Sequence, residues 1–264
     1  MYTSAKIFKV VSRMLKWFSA ARKFIPRRIK YLLRNPKPPT TTTPFAGPVV
    51  VIGSAPQSHK PIGLDETYRI ISVNASQLAL EPWGVDAPDI TLMGYNEIEG
   101  TNTSAVDVRR VLAGKRTGSL YVLAWRHGRE RLEAGLKAIG YGCDESHIVD
   151  RYQRIALLHK VSGRLNLELD AETKCSNGVV AVIFALYNGA TAVIISGINP
   201  HSAGHVYNGV NLARKHVRMD AETLARLVRL GYPIYTADPQ VAAEIGLPLW
   251  QGIDHDGSKT GIAG

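Results

Sequence analysis

The sequence predicts an α/β protein, a doubly wound, mainly parallel sheet in a single nucleotide-binding domain. Three observations carry that prediction. From Val49 onward short apolar or β-branched runs alternate with helical patterns. Short turns join them, as in parallel sheets built from β-α-β units. Successive strands end in Gly, Ser or Asn, and the carboxyl ends of such strands are where open α/β sheets bind ligands.

Before the sheet come two other segments. Between Lys6 and Ile25 the apolar residues Ile7, Val11, Met14, Phe18, Ala21 and Ile25 recur at steps of three and four, with Lys6, Lys9, Arg13, Lys16 and Lys23 between them. That spacing predicts a basic amphipathic helix within residues 1–34. With Trp17, Phe18 and Phe24 among its apolar residues, it suits an anionic membrane surface, contacted through residues 6–34. Packing on the body and an organelle presequence are the two other readings of such a helix. Residues 35–47, including PKPPTTTTP, form a linker that can be neither helix nor central strand. The globular domain is expected at 48–250 and a flexible tail at 251–264.

Within the domain, Val49 to Ile52 is a strand ending at Gly53, Ser54, Ala55 and Pro56, where small residues let the backbone approach a phosphate or sugar. The turn lacks a full GxGxxG and the Lys-Ser/Thr of a P-loop. Arg69 to Val73 is the next strand, ending at Asn74, and Ile90 to Met93 the third, ending at Gly94, Tyr95 and Asn96. Asn offers a base or ribose both donor and acceptor, and it is also a common turn residue. Then follow a helix over Val106 to Ala113, a strand over Ser119 to Ala124 and a helix over Arg129 to Ile139. Tyr152 to Leu169 is ambiguous, helical at its start. An apolar helix over Val179 to Tyr187 leads to the most apolar strand, Thr191 to Ser196, which opens into Gly197, Ile198, Asn199 and a polar loop. His216 precedes a helix over Asp220 to Leu230, and Pro233 to Thr236 is the last strand.

The net charge of +10 is not a property of this body. Eleven Lys or Arg lie in residues 1–37 and no acid precedes Asp65, so the rest of the chain carries 21 basic against 22 acidic residues. A body near neutrality gives no reason to expect a nucleic-acid partner. Cys143 and Cys175 lack CxxC spacing and read as reduced thiols of a cytoplasmic protein. No apolar run reaches the roughly 18 to 20 residues of a membrane span, and no signal peptide is recognisable. The expected location is cytoplasmic, peripheral on the inner face of the cell membrane.

VIGSAPQS, SVNAS, LMGYN, CSNG, IISGIN, the Tyr of HVYNG and the His of RKHVRMD together resemble, in order and approximate spacing, the bacterial sialyltransferases of carbohydrate-active family 42. The resemblance spans about residues 49–240 and is thin between Glu97 and Lys174. It implies a Rossmann-like enzyme with a short lid. Its co-substrate would be a CMP-activated sialic acid or related acidic sugar, with no metal or other cofactor. Its acceptor would be a cell-surface glycolipid or oligosaccharide, as in lipopolysaccharide biosynthesis. By the same resemblance Gly53, Ser54, Ala55, Pro56 and Gln57 form the nucleotide turn, and Asn74 and Asn96 lie near donor sugar and phosphate. Ser176, Asn177 and Gly178 match the Thr-Ser-Gly turn that contacts the donor. Gly197 and Asn199 match a Gly-Ile-Asp that touches the nucleotide. Tyr207 matches the second of two tyrosines on the leaving phosphate, His201 replaces the first, Lys174 replaces an Arg, and His216 matches the general base. The loop from Pro200 to Lys215 is shorter than the family's lid.

The residue types agree with such chemistry on their own terms. Glycosyl transfer from an activated nucleotide needs a base for the acceptor hydroxyl, stabilisation of the departing phosphate, and a positioned donor. Histidine ionises at about 6.5 when unperturbed and suits the first task, with His205 as the competitor of His216. Tyr207 and a His at 201 can donate hydrogen bonds to phosphate, and Lys174 can add charge. Asp254, His255 and Asp256 form a DxD of the kind that holds divalent cations elsewhere; it lies in a Gly-rich tail after the last strand, and the resembled family uses no such metal site. Two rival functions remain: a nucleotide-dependent pyrophosphokinase, which needs Mg²⁺ and clustered carboxylates, and a non-catalytic nucleotide-binding membrane adaptor.

Overall fold

A computed structural model describes residues 22–202, 204–208 and 216–253. Most of the predicted amphipathic helix, the stretch 209–215 and the DxD at 254–256 lie outside the described residues.

Among the described residues seven strands form one sheet: β1 (Pro48–Ile52), β2 (Arg69–Val73), β3 (Ile90–Gly94), β4 (Arg116–Leu123), β5 (Gly142–Val149), β6 (Ala192–Ser196) and β7 (Ile234–Thr236). Their order is β5-β4-β3-β2-β1-β6-β7, and every neighbouring pair is parallel. The chain winds outward from β1 to β5, then crosses back to lay β6 on the other side of β1. Winding therefore reverses between β1 and β6, the position at which adjacent connections leave opposite faces and open a crevice.

The helices are α1 (residues 22–34), α2 (Tyr95–Glu99), α3 (Thr103–Leu112), α4 (Arg129–Ile139), α5 (Arg151–Ser162), α6 (Asn177–Tyr187), α7 (Val217–Arg229) and α8 (Pro239–Ile245), with a 3-10 helix at Ser76–Trp83. Alternation along the strands sorts the core into two layers. Val49, Val51, Ile71, Leu92 and Val193 face α5, α6 and α7. Val50, Ile52, Ile70 and Ile194 pack with the 3-10 helix, while Met93, Leu120 and Val122 pack with α3 and α4. Strands covered on both faces must be apolar throughout, which is why β1 and β6 read as continuous runs. Gly178 through Ala185 of α6 are all buried, as a helix without a polar face requires.

β5 has no counterpart in the sequence reading. Its sequence GCDESHIV is polar, because as an edge strand most of its residues stay partly or fully exposed. The Pro/Thr segment 35–47 is neither helix nor strand, and it is tied to the body. Thr41 N donates to Asn188 Oδ1 at 2.8 Å, Phe45 N to the Asn188 carbonyl at 2.8 Å, and Tyr121 Oη to the Thr40 carbonyl at 2.9 Å.

One face of α1 docks on the body. Tyr31 Oη meets His159 Nδ1 at 3.1 Å, and Arg34 lies 4.9 Å over the Tyr152 ring and 3.5 Å from Asp150. Ile25, Ile29, Leu32 and Leu33, half a helical turn away, are exposed. Among the described residues no helix is long and apolar enough to cross a membrane.

Candidate functional site

The carboxyl ends of β1, β2, β3 and β6 open into a cleft of about 620 Å³. Two glycines make it possible. A Cβ on Gly53 would collide with the Gly197 carbonyl and Ile198, and one on Gly197 would sit 2.8 Å from the Gly53 oxygen, at a φ of +63° that favours glycine anyway. The two strand ends are laced by Gly53 N to the Ser196 carbonyl and Ala55 N to the Gly197 carbonyl, both 2.8 Å. Asp238 supports them from behind. Its Oδ2 accepts from Gly197 N at 2.9 Å and its Oδ1 meets His59 Nδ1 at 2.5 Å.

Three helices of ten residues or more begin at this cleft. Ser176 caps α6, its Oγ accepting from Val179 N at 3.3 Å, and Ser176, Asn177 and Gly178 line the wall. Asn102 caps α3, accepting from Ala105 N at 2.9 Å, and Thr103 and Ser104 follow it along the cleft. His216 occupies the N-cap position of α7. Helix starts present free N–H groups and the positive end of the helix dipole, so their convergence makes an anion site with few side-chain cations. Buried polar side chains hold the starts in place. Asp220 Oδ1 accepts from Ser176 N at 2.8 Å, and Arg154 Nη2 donates to the Cys175 carbonyl at 2.6 Å.

The asparagines divide between fold and cleft. Asn74 has φ +53°, a left-handed turn conformation, and its Oδ1 accepts from Gly94 N at 3.0 Å, leaving the amide nitrogen for the cleft. Asn96 lines the cleft one residue into α2. Asn199 lines it too, but its amide is engaged at both ends, by His201 N at 2.8 Å and by Glu244 Oε2 at 3.1 Å.

Over the β1 turn lies the segment 204–208. Val206 N donates to the Ser54 carbonyl at 2.9 Å, His205 Nδ1 meets Ser54 Oγ at 2.7 Å, and the His205 ring stacks on Tyr207 at 5.2 Å. Tyr207 is buried at the cleft. The two candidate bases differ here: one nitrogen of His205 is engaged by Ser54, whereas His216 Nδ1 is sealed from solvent with no hydrogen-bond partner. Buried polar atoms are normally paired, so an orphan at a cleft wall marks a place where a ligand completes the set.

Glu97, which sequence reasoning missed, presents a second orphan. Its Oε2 is buried without a hydrogen bond, and burial raises the carboxyl from 4.5 to about 7, against the opposing pull of Arg109. No local signal marks it, since the shift comes from the walls around it. The start of α3 was legible in principle: Asn-Thr-Ser ahead of Ala105 and Val108 is an N-cap pattern.

Five predicted residues are not brought into the cleft. Ala55 is buried beneath it, and Pro56 and Gln57 line a neighbouring depression with Leu78 and Val206. Lys174 is not among the cleft's lining residues and stands among arginines instead. His201 is also outside: it is exposed and near Glu244. The reason is local, since its backbone N–H closes a turn on Asn199 Oδ1. Both cysteines are free. Burial pushes Cys175 up to about 12, so it is an inert core thiol. Among the described residues no group of three His, Cys, Asp or Glu could hold a metal ion.

The architecture matches solved sialyltransferases. CstII from Campylobacter jejuni in complex with the substrate analogue CMP-3FNeuAc superposes with a TM-score of 0.50 at 13% identity, over 76% of this chain and 85% of that one. CST-II with a trisaccharide acceptor and CMP gives 0.50 at 11%, over 78% and 88%. The monofunctional α-2,3-sialyltransferase Cst-I from Campylobacter jejuni gives 0.50 at 13%, over 77% and 80%. The chain has a sialyltransferase fold. No protein-family model and no curated protein sequence matches it. At such identities the likeness is one of backbone, and the chemistry rests on the side chains described above.

Proposed function

We propose that the protein is an inverting glycosyltransferase that moves sialic acid or a related acidic sugar from a CMP-activated donor to a hydroxyl of a glycan or glycolipid. The observation that carries this reading is the convergence of three helix starts, Tyr207 and the unpaired His216 nitrogen on one cleft at the point where winding reverses. The two CstII structures named above were solved with a CMP-sugar analogue and with CMP and an acceptor trisaccharide, in agreement with it.

In the proposed reaction the CMP phosphate lies against the starts of α6 and α3, whose N–H groups meet its charge without a metal. The imidazole of His216 takes the proton of the acceptor hydroxyl as the oxygen attacks the anomeric carbon. The bond from that carbon to the phosphate oxygen breaks on the opposite side, and CMP leaves with the electron pair. A single in-line displacement inverts the anomeric centre. Tyr207 donates to the departing phosphate, and such a donor is worth most where water is excluded. Ser54, Asn74, Asn96, Ser176 and Asn177 orient the donor. His201, outside the cleft, has no part in this step. We further propose that the basic helix, through residues 6–34, holds the enzyme at an anionic membrane surface on the cytoplasmic side, where a lipid-linked acceptor would be found.

The test is donor hydrolysis and transfer over a panel of nucleotide sugars in EDTA, with calorimetry against CMP, UDP and GDP. CMP-sugar turnover that falls by about 10² to 10⁴ in His216→Ala, with CMP affinity kept, is the expected result, since proton removal is needed only in the transition state. Preference for UDP, binding only with Mn²⁺, or loss of activity in His205→Ala instead of His216→Ala would overturn the assignment.

A further inference from the structure

Beside the cleft, four cations gather around one acid, and a fifth, Arg126, stands next to one of them. Arg154 Nη2 lies 3.0 Å from Glu168 Oε1, and both side chains are almost sealed from solvent. Arg27, from α1, donates to the carbonyls of Leu167 at 2.9 Å and Glu168 at 2.5 Å, and so is fixed to the same loop. The backbone of Glu168 has φ +50°, a conformation non-glycine residues seldom adopt. Arg151 and Lys174 complete the near group. Desolvation first, and then repulsion from Arg27 and Arg126, lowers the pKa of Arg151. Lys174 is lowered by desolvation and by Arg151, Arg154 and Arg27, with Glu168 opposing. Glu168 can neutralise one of these charges. Other nearby acids are committed: Asp150 caps α5 and meets Arg34, and Asp170 bonds to Thr173 in its own turn.

The strand order decides how these residues are arranged. Arg151 follows β5, Arg126 follows β4, and Tyr95 follows β3, so the order β5-β4-β3 lines them up along the carboxyl edge of the sheet. Arg126 lies 5.6 Å over the Tyr95 ring, and Tyr95 is succeeded by Asn96 and Glu97 of the cleft. Lys174 immediately precedes the Cys175–Ser176 turn at the other wall. The cations therefore form a strip running from α1 to the cleft mouth, half-buried at Arg27, Arg151 and Lys174 and exposed at Arg126.

We propose that this strip is the acceptor subsite for an acidic saccharide, one carrying phosphate or carboxylate groups within reach of the hydroxyl to be glycosylated. Planar guanidinium groups bind such anions bidentately, and an anion there relieves the mutual repulsion of four uncompensated charges. The proposal rests on the transferase reading above for what happens next, but binding can be measured without it.

The experiment is calorimetry on the full chain with a bis-phosphorylated glucosamine disaccharide, its dephosphorylated counterpart, CMP, and phosphatidylglycerol vesicles. The phosphorylated disaccharide should bind and the dephosphorylated one should not. Arg126→Gln/Arg151→Gln should weaken the phosphorylated probe by about 10- to 100-fold, the range expected from two lost charge-assisted contacts. CMP affinity should change less than about twofold on that scale. Arg126→Lys/Arg151→Lys, which keeps charge but not the fork, should fall between, and equal melting temperatures exclude a folding defect. Unchanged binding in the Gln variant overturns the proposal. So does a loss confined to vesicles, which would make the strip a membrane contact. Should the disaccharide behave as expected while CMP does not bind, the strip stands and the donor reading fails.

Discussion

Replacing Glu97 by glutamine tests the electrostatics of the cleft by a route independent of substrate. Burial lifts this carboxyl from 4.5 to about 7, the attraction of Arg109 notwithstanding. The protonated form is thus the one the fold prefers. Below 4.5 both folded and unfolded chains carry the proton and nothing is lost. As pH rises from 4.5 to about 7 the unfolded chain ionises first, and the folded state loses stability over that window, a loss that is complete above it. A shift from 4.5 to about 7 corresponds to about 3 kcal/mol. Because the side chain as a whole is only partly buried, about 1 to 3 kcal/mol is the range to expect. Glutamine has the same shape and does not ionise. Glu97→Gln should therefore melt close to the wild type at pH 4 and above it at pH 8, by about 2 to 12 °C for a domain of this size. Calorimetric or circular-dichroism melts from pH 4 to 8.5 give the difference directly. A difference that stays constant with pH, or a wild type more stable than the variant at pH 8, would refute an electrostatic origin. The same charge should oppose an anionic donor, so wild-type affinity for a CMP-activated acidic sugar should fall between pH 6 and 8, and that of Glu97→Gln should not.

Tyr207→Phe should lower turnover by roughly 10- to 100-fold through loss of a phosphate donor, whereas His201→Ala, outside the cleft, should stay within about threefold; steady-state kinetics with a CMP-sugar separates them, and the reverse order would restore His201 to the phosphate. Gly53→Ala should abolish CMP binding and lower the melting temperature, because its methyl group meets the Gly197 carbonyl and Ile198 rather than a flexible side chain; a variant that binds CMP normally would show that the two strand ends can separate. Flotation with anionic liposomes should be salt-sensitive for the full chain and absent for a chain beginning at Thr43, since Lys and Arg attraction is screened within about 8 Å at physiological salt; equal flotation of both would remove the helix as anchor.

Much of the scaffold was legible in the sequence because parallel strands covered on both faces must be apolar for their whole length. β1, β2, β3 and β6 are such strands, and each was readable to within a residue or so, as were α4 and the apolar α6. Small residues at the ends of β1 and β6 were equally informative, for two chain ends that touch leave no room for a Cβ. The charge asymmetry of the amino-terminal segment is likewise a property of composition alone. β5 escaped because an edge strand, open to water, has no need of an apolar pattern. What pairs with what was decided only by the tertiary structure. That Asn199 is engaged by Glu244 and His205 is tied to Ser54 depends on hydrogen bonds between distant segments, and that His216 keeps a free nitrogen while Gln57 lines a neighbouring depression depends on how those segments pack. The acidity of Glu97 and the crowding of Arg27, Arg126, Arg151 and Lys174 arise the same way. Sequence reports which groups are present, but desolvation and Coulomb forces act through space, and only the folded chain sets those distances.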